Sequence, residues 1–328
     1  MVKLTRDSYI KIALIALLCV VICAALGRCA TAAVDMTAAY TSRTFPSAPD
    51  APDAPDAPEA PDAPAAPDAP EPPDTFESSL TEIGSHEVDP AEVRNLSIQW
   101  AAGQVTVQTA PDGECGGKIQ VRERASGSAK RVRPLSMGIS GETLCINSNE
   151  AVWSFWQGCS SFASKRLEVT IPESAAGNLG TVEVDGASGM YWLAGFSCDK
   201  LDIALASGML DTAGIAARNL VADIASGQVS LEGAFPQAID ITAASGSITV
   251  TDTGSTFPQR IDVDVMSGEV VLALAKEGGF TADVDRLSGN FTCGYETSQQ
   301  DGRYVHGDGA SSVNINLTSG NVELKPQA

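Results

Sequence analysis

The dipeptide Ser-Gly returns along the C-terminal half at Ser188-Gly189, Ser207-Gly208, Ser226-Gly227, Ser245-Gly246, Ser267-Gly268, Ser288-Gly289 and Ser319-Gly320. Successive steps are 19, 19, 19, 22, 21 and 31 residues. A short fixed period that tolerates insertions marks a stacked repeat, in which each unit leaves an apolar face for its neighbour to cover. In such an architecture function is sought on a surface rather than in one deep active-site pocket.

The flanks say what each unit is. Apolar residues sit six and four positions before the Ser, as in Val182 and Val184, Leu201 and Ile203, Ile239 and Ile241, and Ile261 and Val263. Others sit three and five positions after it: Leu210 and Thr212, Val229 and Leu231, Ile248 and Val250, Val270 and Leu272, Val322 and Leu324. Both halves alternate with period two, so both are β-strands with one buried face. The alternation slips by one residue across the Ser-Gly, which requires a bend that glycine reaches without a Cβ penalty. Leu96, Ile98 and Trp100 before Ala102-Gly103, with Val105 and Val107 after it, make an eighth corner. Ser126-Gly127 and Ser140-Gly141 lack that flanking pattern and read as ordinary turns. The predicted fold is all-β, a β-solenoid of coils with corners at Gly103, Gly189, Gly208, Gly227, Gly246, Gly268, Gly289 and Gly320. It occupies 92–328, irregular over 110–166 and regular over 182–325.

What precedes the solenoid reads as a means of presenting it. Residues 1–9 form a basic tail with Lys3 and Arg6, and 10–27 carry an apolar run from Ile12 to Gly27. The run is either a membrane anchor or the core of a signal peptide cleaved near Ala32, after Ala30-Thr31-Ala32. Residues 28–45 lie next to the membrane, and 46–74 repeat Ala-Pro-Asp/Glu. Dense proline favours polyproline II, so this stalk reaches roughly 90 Å. Its acids, among them Asp50, Asp53, Asp56, Glu59 and Asp62, then line one edge and repel. The alternative is a disordered linker of no set length. A stiff stalk needs a fixed base, which favours a single-pass anchor with the C-terminal domain outside the cell over secretion. A connector spans 75–91.

The formal charge is −20: +3 before residue 46, −8 within 46–74 and −15 beyond it. Such a chain is a poor binder of nucleic acid. The one basic stretch, Lys118 to Arg133, reads as a solvated hairpin edge. Cys145 and Cys159 bracket a short loop and could pair in an oxidising exterior. Trp153, Phe155, Trp156 and Phe162 either plug the open end of the solenoid or stack on sugar rings.

Catalysis leaves little trace, with two His (His86 and His306) and no nucleophile elbow, phosphate loop or metalloprotease helix. The outward positions are acidic instead. Glu183, Asp202, Asp240, Asp262 and Asp283 lie five residues before their corners, and Asp185, Asp223, Asp264 and Asp285 lie three before. These ladders make either a solvated face or an oxygen-rich Ca²⁺ site, with Asp240, Asp262, Asp264, Asp283 and Asp285 as the candidate ligands. No other cofactor is expected.

Leu96-Ser97-Ile98, Leu167-Glu168-Val169-Thr170-Ile171-Pro172 and the repeated Ser-Gly-x-Val corners resemble the bacterial putative-adhesin family over about residues 92–325. The resemblance implies a β-strand repeat domain of unknown function, often behind one membrane segment, with no catalytic residues to carry over. Its usual corner Asp is replaced here by Met190, Met209, Gln228, Ser247, Glu269, Asn290 and Asn321. The expected function is a membrane-tethered, non-enzymatic recognition or adhesion surface for a glycan or a membrane protein. A scaffold or sensor ectodomain for envelope stress is the alternative, ahead of a carbohydrate-active enzyme.

Overall fold

The corners set the architecture. The eight corner glycines take φ between +105° and +153°, a backbone that L side chains rarely adopt. Space is as restrictive as the dihedral. Even at Gly246, the loosest of them, an added Cβ would lie 2.7 Å from the carbonyl oxygen of Gly227. The corners therefore stack backbone on backbone. Hydrogen bonds link the stacked bends: at the Gly189 corner Ser188 N–H donates to Ala101 O and Met190 N–H to Gly103 O, both at 2.9 Å.

The computed structural model describes residues 80–126, 134–148, 165–300 and 303–327. The tail, the apolar run, the 46–74 stalk and the start of the connector lie outside the described residues, as do the 153–162 aromatics and Cys159. Among the described residues no helix is long and apolar enough to cross a membrane.

Before the corners, parallel strands follow in the order Asn95–Trp100, Leu179–Gly186, Ser197–Leu205, the second half of Met209–Ile224, Ala238–Ala243 and Arg260–Val265. After the corners the order is Gln104–Ala110, Met190–Ala194, the first half of Met209–Ile224, Gln228–Ala234, Ser247–Asp252 and Glu269–Leu274. Met209–Ile224 runs unbroken from one layer into the other, so all described strands belong to one sheet. The predicted inward residues meet between the layers; Val182, Ile203, Leu231, Ile241 and Leu272 are fully buried.

The regular succession expected over 182–325 holds to Gly268 and then fails. Ser311–Leu317 docks on Arg260–Val265, and Phe280–Arg286 docks on the far side of Ser311–Leu317. Asn321–Pro326 likewise lies between Glu269–Leu274 and Asn290–Cys293. The Gly320 coil is thus inserted between the coils of Gly268 and Gly289. A parallel ladder needs only matching pleats and is indifferent to the chain between them. The 31-residue step, which carries the hairpin Ser298–Gln300 and Arg303–His306, gives the chain length to return.

At the other end, two expectations are corrected. Ile119–Ser126 pairs antiparallel with Lys165–Pro172 on one side and with Leu80–Val88 on the other. The basic stretch therefore begins as an interior strand rather than a solvated edge, and the connector supplies the strand that covers it. Ile119, Val121 and Ala125 face the core, which sends Arg122 and Arg124 outward. On the other layer, the hairpin Ser136–Ser140 and Thr143–Asn147 extends the sheet beside Asn95–Trp100. Beneath this end lies a buried ion pair. Lys165 Nζ sits 3.1 Å from Glu123 Oε1, with side chains 1% and 0% exposed. Lys165 also donates to Ser148 O at 2.9 Å, Glu123 Oε2 accepts from Leu135 N–H at 2.7 Å, and the Trp100 ring lies 5.8 Å from the ammonium.

Candidate recognition surface

The outer face before the corners carries the acidic ladders, and the inserted coil reorganises them. Three residues before the corners, the column reads Asp185, Ala204, Asp223, Thr242, Asp264, Asn316, Asp285. Acids alternate with neutral residues throughout, which doubles the spacing between like charges and weakens their repulsion. Two positions nearer the strand start the column reads Glu183, Asp202, Val221, Asp240, Asp262, Asn314, Asp283. Asp240 and Asp262 are direct neighbours, whereas Asn314 separates Asp262 from Asp283. The asparagines donate to the acids beside them: Asn314 Nδ2 to Asp262 Oδ1 and Asn316 Nδ2 to Asp264 Oδ1, both at 2.7 Å. Arg260 pairs with Asp262 and Arg303 with Asp283, both at 3.2 Å, and Lys200 pairs with Asp202. Among the described residues no three His, Cys, Asp or Glu converge as metal ligands. Asp185, half-buried beside Glu183 and Asp202, has its carboxyl raised above the usual range, first by burial and then by those two charges, with a hydrogen bond from Gln99 opposing.

The face after the corners differs. Met190, Met209 and Trp192 are exposed at 49%, 46% and 45%. Met190 and Met209 are direct ladder neighbours, and Trp192 stands between Thr106 and Asp211. This strand alternates strictly, so Tyr191 points inward and donates to Trp100 O at 3.0 Å while Trp192 points out. The patch joins an indole plane and two thioether side chains to a hydroxyl and a carboxylate.

At the turns opposite the corners, a groove of about 530 Å³ opens over five successive coils, from Arg94 to Pro236. Its charged lining is Arg94, Asp199 and Arg218, each eight residues before its own corner. Gly180 holds the level between Arg94 and Asp199; an added Cβ there would press to 2.5 Å on Asn95 Oδ1 and would sit in ordinary contact, 3.4 Å, with Arg94 Cγ and Nε as that side chain passes over it. Arg94 Nη2 comes to 3.5 Å from Asp199 Oδ2, and Arg218 Nε to 3.6 Å from Asp199 Oδ1. Cys198 lies buried beside them; burial, reinforced by the Asp199 charge, pushes its thiol up to about 12.

Residues 93–325 match the family model Toastrack DUF4097. The chain belongs to this Toastrack family. The family is a domain of unknown function, in line with the resemblance to adhesin-like proteins drawn from the corners. No curated protein matches. Among solved structures, the chain is similar to a putative cell adhesion protein from Clostridium sporogenes (11% identity, 76% of this chain and 100% of that one, TM-score 0.34). It is also similar to a putative adhesin from Bacteroides fragilis (13%, 75% and 96%, TM-score 0.40). A putative lipid binding protein from Parabacteroides distasonis gives 9%, 77% and 98%, with TM-score 0.29.

Within the Toastrack chain, Cys145 lies half-buried on Thr143–Asn147, and Cys159, the candidate partner for a disulfide, lies outside the described residues. His86 and His306 stand at opposite ends of the stack, on Leu80–Val88 and Arg303–His306. His306 Nδ1 is 2.7 Å from Glu296 O, and its ring packs against Phe280 and Tyr295. Trp192 and the Arg94–Asp199–Arg218 column were not apparent from motifs. The signals were an aromatic at an outward pleat and the shared offset of eight from each corner.

Proposed function

We propose that this Toastrack chain is a membrane-tethered, extracellular, non-enzymatic recognition protein that binds a cell-surface glycan on the face after the corners. The observation that carries the reading is Trp192 beside Met190 and Met209 on a rigid, otherwise polar strand layer. An indole plane matches the C–H face of a sugar ring, while Thr106 and Asp211 exchange hydrogen bonds with its hydroxyls. An exposed apolar cluster rimmed by polar groups is the usual mark of an interaction site. The apolar run at 10–27 supplies the anchor and the 46–74 stalk supplies the reach.

Two experiments test the parts separately. Full chain immobilised on beads is presented to neutral and acidic polysaccharides. Trp192→Ala is expected to lower binding about tenfold, a loss of ~1.4 kcal/mol, with its melting temperature kept. Unchanged binding by that variant overturns the Trp192 site. Cell fractionation with N-terminal sequencing tests the anchor, which a soluble species beginning at Ala33 would remove.

A further inference from the structure

The groove at the turn edge is built differently from the rest of the surface. On a chain of net charge −20, its charged lining is two arginines and one aspartate. The arginines come from coils on either side of Asp199, and Arg94 reaches it by passing over Gly180. Two guanidiniums offer about ten N–H donors between them, while Asp199 offers two oxygens. The contacts of 3.5 and 3.6 Å are long beside the ~2.8 Å of a well-formed charge-assisted pair. Donor capacity therefore exceeds what Asp199 takes up, and both arginine side chains are more than half exposed.

The remaining lining narrows the ligand. Ala216, Ala217 and Ala234 leave the volume open, and Asn178 and Ser197 can each donate and accept at a hydroxyl. A volume of about 530 Å³ lies within the ~300–1,000 Å³ of small-ligand sites. We propose that the groove is a subsite for the carboxylate of an acidic sugar, held between Arg94 and Arg218, with Asp199 accepting from a ring hydroxyl. Repulsion from the distant acids is screened over about 8 Å at physiological salt, so the local pair of arginines governs a bound carboxylate. The subsite rests on the glycan reading above and adds its substrate class, a uronic acid.

Calorimetric titration of the full chain with trigalacturonate, and with its methyl ester, tests this at constant ionic strength. Trigalacturonate is expected to bind and the ester to bind at least tenfold more weakly. Arg94→Gln and Arg218→Gln should each cost about tenfold for the acid and nothing for the ester, since their exposed side chains leave the fold intact. Asp199→Asn should tighten the acid by removing a competing carboxylate. Equal binding of acid and ester, or arginine variants that bind as wild type, overturns the subsite. If that happens while polysaccharide binding still depends on Trp192, the recognition reading survives alone; if no saccharide binds at all, both fail.

Discussion

From Gly189 to Gly246 each coil lies on the one that precedes it in the chain, with a constant step of 19 residues and with the residue after each corner glycine donating to the carbonyl of the corner glycine before it. Beyond Gly268 the same strand pattern, corner dihedrals and carbonyl-on-glycine stacking persist, yet the coil of Gly320 is seated inside that of Gly289. The two regions share every local rule and differ in succession. Corner chemistry decides how a coil is shaped; which coil it meets is decided by chain length between coils and by complementarity of the outward columns. Asn314 and Asn316 supply that complementarity, placing amide donors between Asp262 and Asp283 and between Asp264 and Asp285.

The largest expected effect breaks this comparison directly. Deleting 311–327 should free Asn290–Cys293 and weaken Phe280–Arg286, because the inserted strands are their parallel partners. Hydrogen exchange should lose protection at 280–293 and keep it at 182–252; protection retained at 290–293 would contradict the insertion. At the other end, Lys165→Met strands the Glu123 carboxylate in the core and should cost ~3–5 kcal/mol in a denaturant titration. In the regular middle, Gly227→Ala forces a Cβ against the Gly208 carbonyl at φ +127°, whereas Gly214 at φ +60° has nothing within 4 Å. The first substitution should cost ~3 kcal/mol or more and the second ~1 kcal/mol, so equal melting shifts would undo the backbone-stacking account.

Two smaller effects concern the acids. Asp252 is fully buried and accepts from Phe235 N–H at 3.0 Å and Gly254 N–H at 3.2 Å, while its Oδ2 has no hydrogen-bond partner among the described residues. Burial raises its carboxyl above the usual 3.8, with those two backbone donors opposing. A raised acid in the folded state holds its proton more tightly than in the unfolded chain. Its contribution is complete below pH 3.8 and is lost as pH climbs through the folded value. Asp252→Asn should therefore gain on wild type in melting temperature from pH 3.8 toward neutrality; a constant difference across that range would refute the assignment. Smallest of all, Asn316→Asp puts three acids on adjacent rungs and should cost under ~1 kcal/mol, recovered by salt. Ca²⁺ and Mg²⁺ at equal ionic strength should restore it alike; recovery by Ca²⁺ alone would contradict repulsion between adjacent carboxylates as the whole cause.

The legible part of the fold was what repeats locally. Alternation at Val182 and Val184, or at Val229 and Leu231, marks inward faces, and the slip at Ser-Gly marks a bend, because pleat and dihedral are properties of adjacent residues. The insertion was not legible in that pattern, since Ile315 and Val284 satisfy the same pleat equally well beside Val263. Only the 31-residue step hinted at it. The covering strand Leu80–Val88 was hidden for a related reason: its burial pattern is mostly open, so it carries no clean alternation. The groove was less legible still. Arg94 and Asp199 stand 105 residues apart, and nothing at either position resembles a motif until the coils are superposed.

The inserted coil also has a consequence in time. A chain that emerges N-terminus first can add the coils of Gly189 through Gly268 one after another, each onto a finished template. The Gly289 coil is synthesised next, and its ladder partner does not yet exist. Until residues 311–326 arrive, Arg260–Val265 and Glu269–Leu274 present open strand edges, which are templates for any other extended chain. The slow step of maturation then falls at this end, where the chain must hold one coil in reserve while it makes the coil that belongs beneath it.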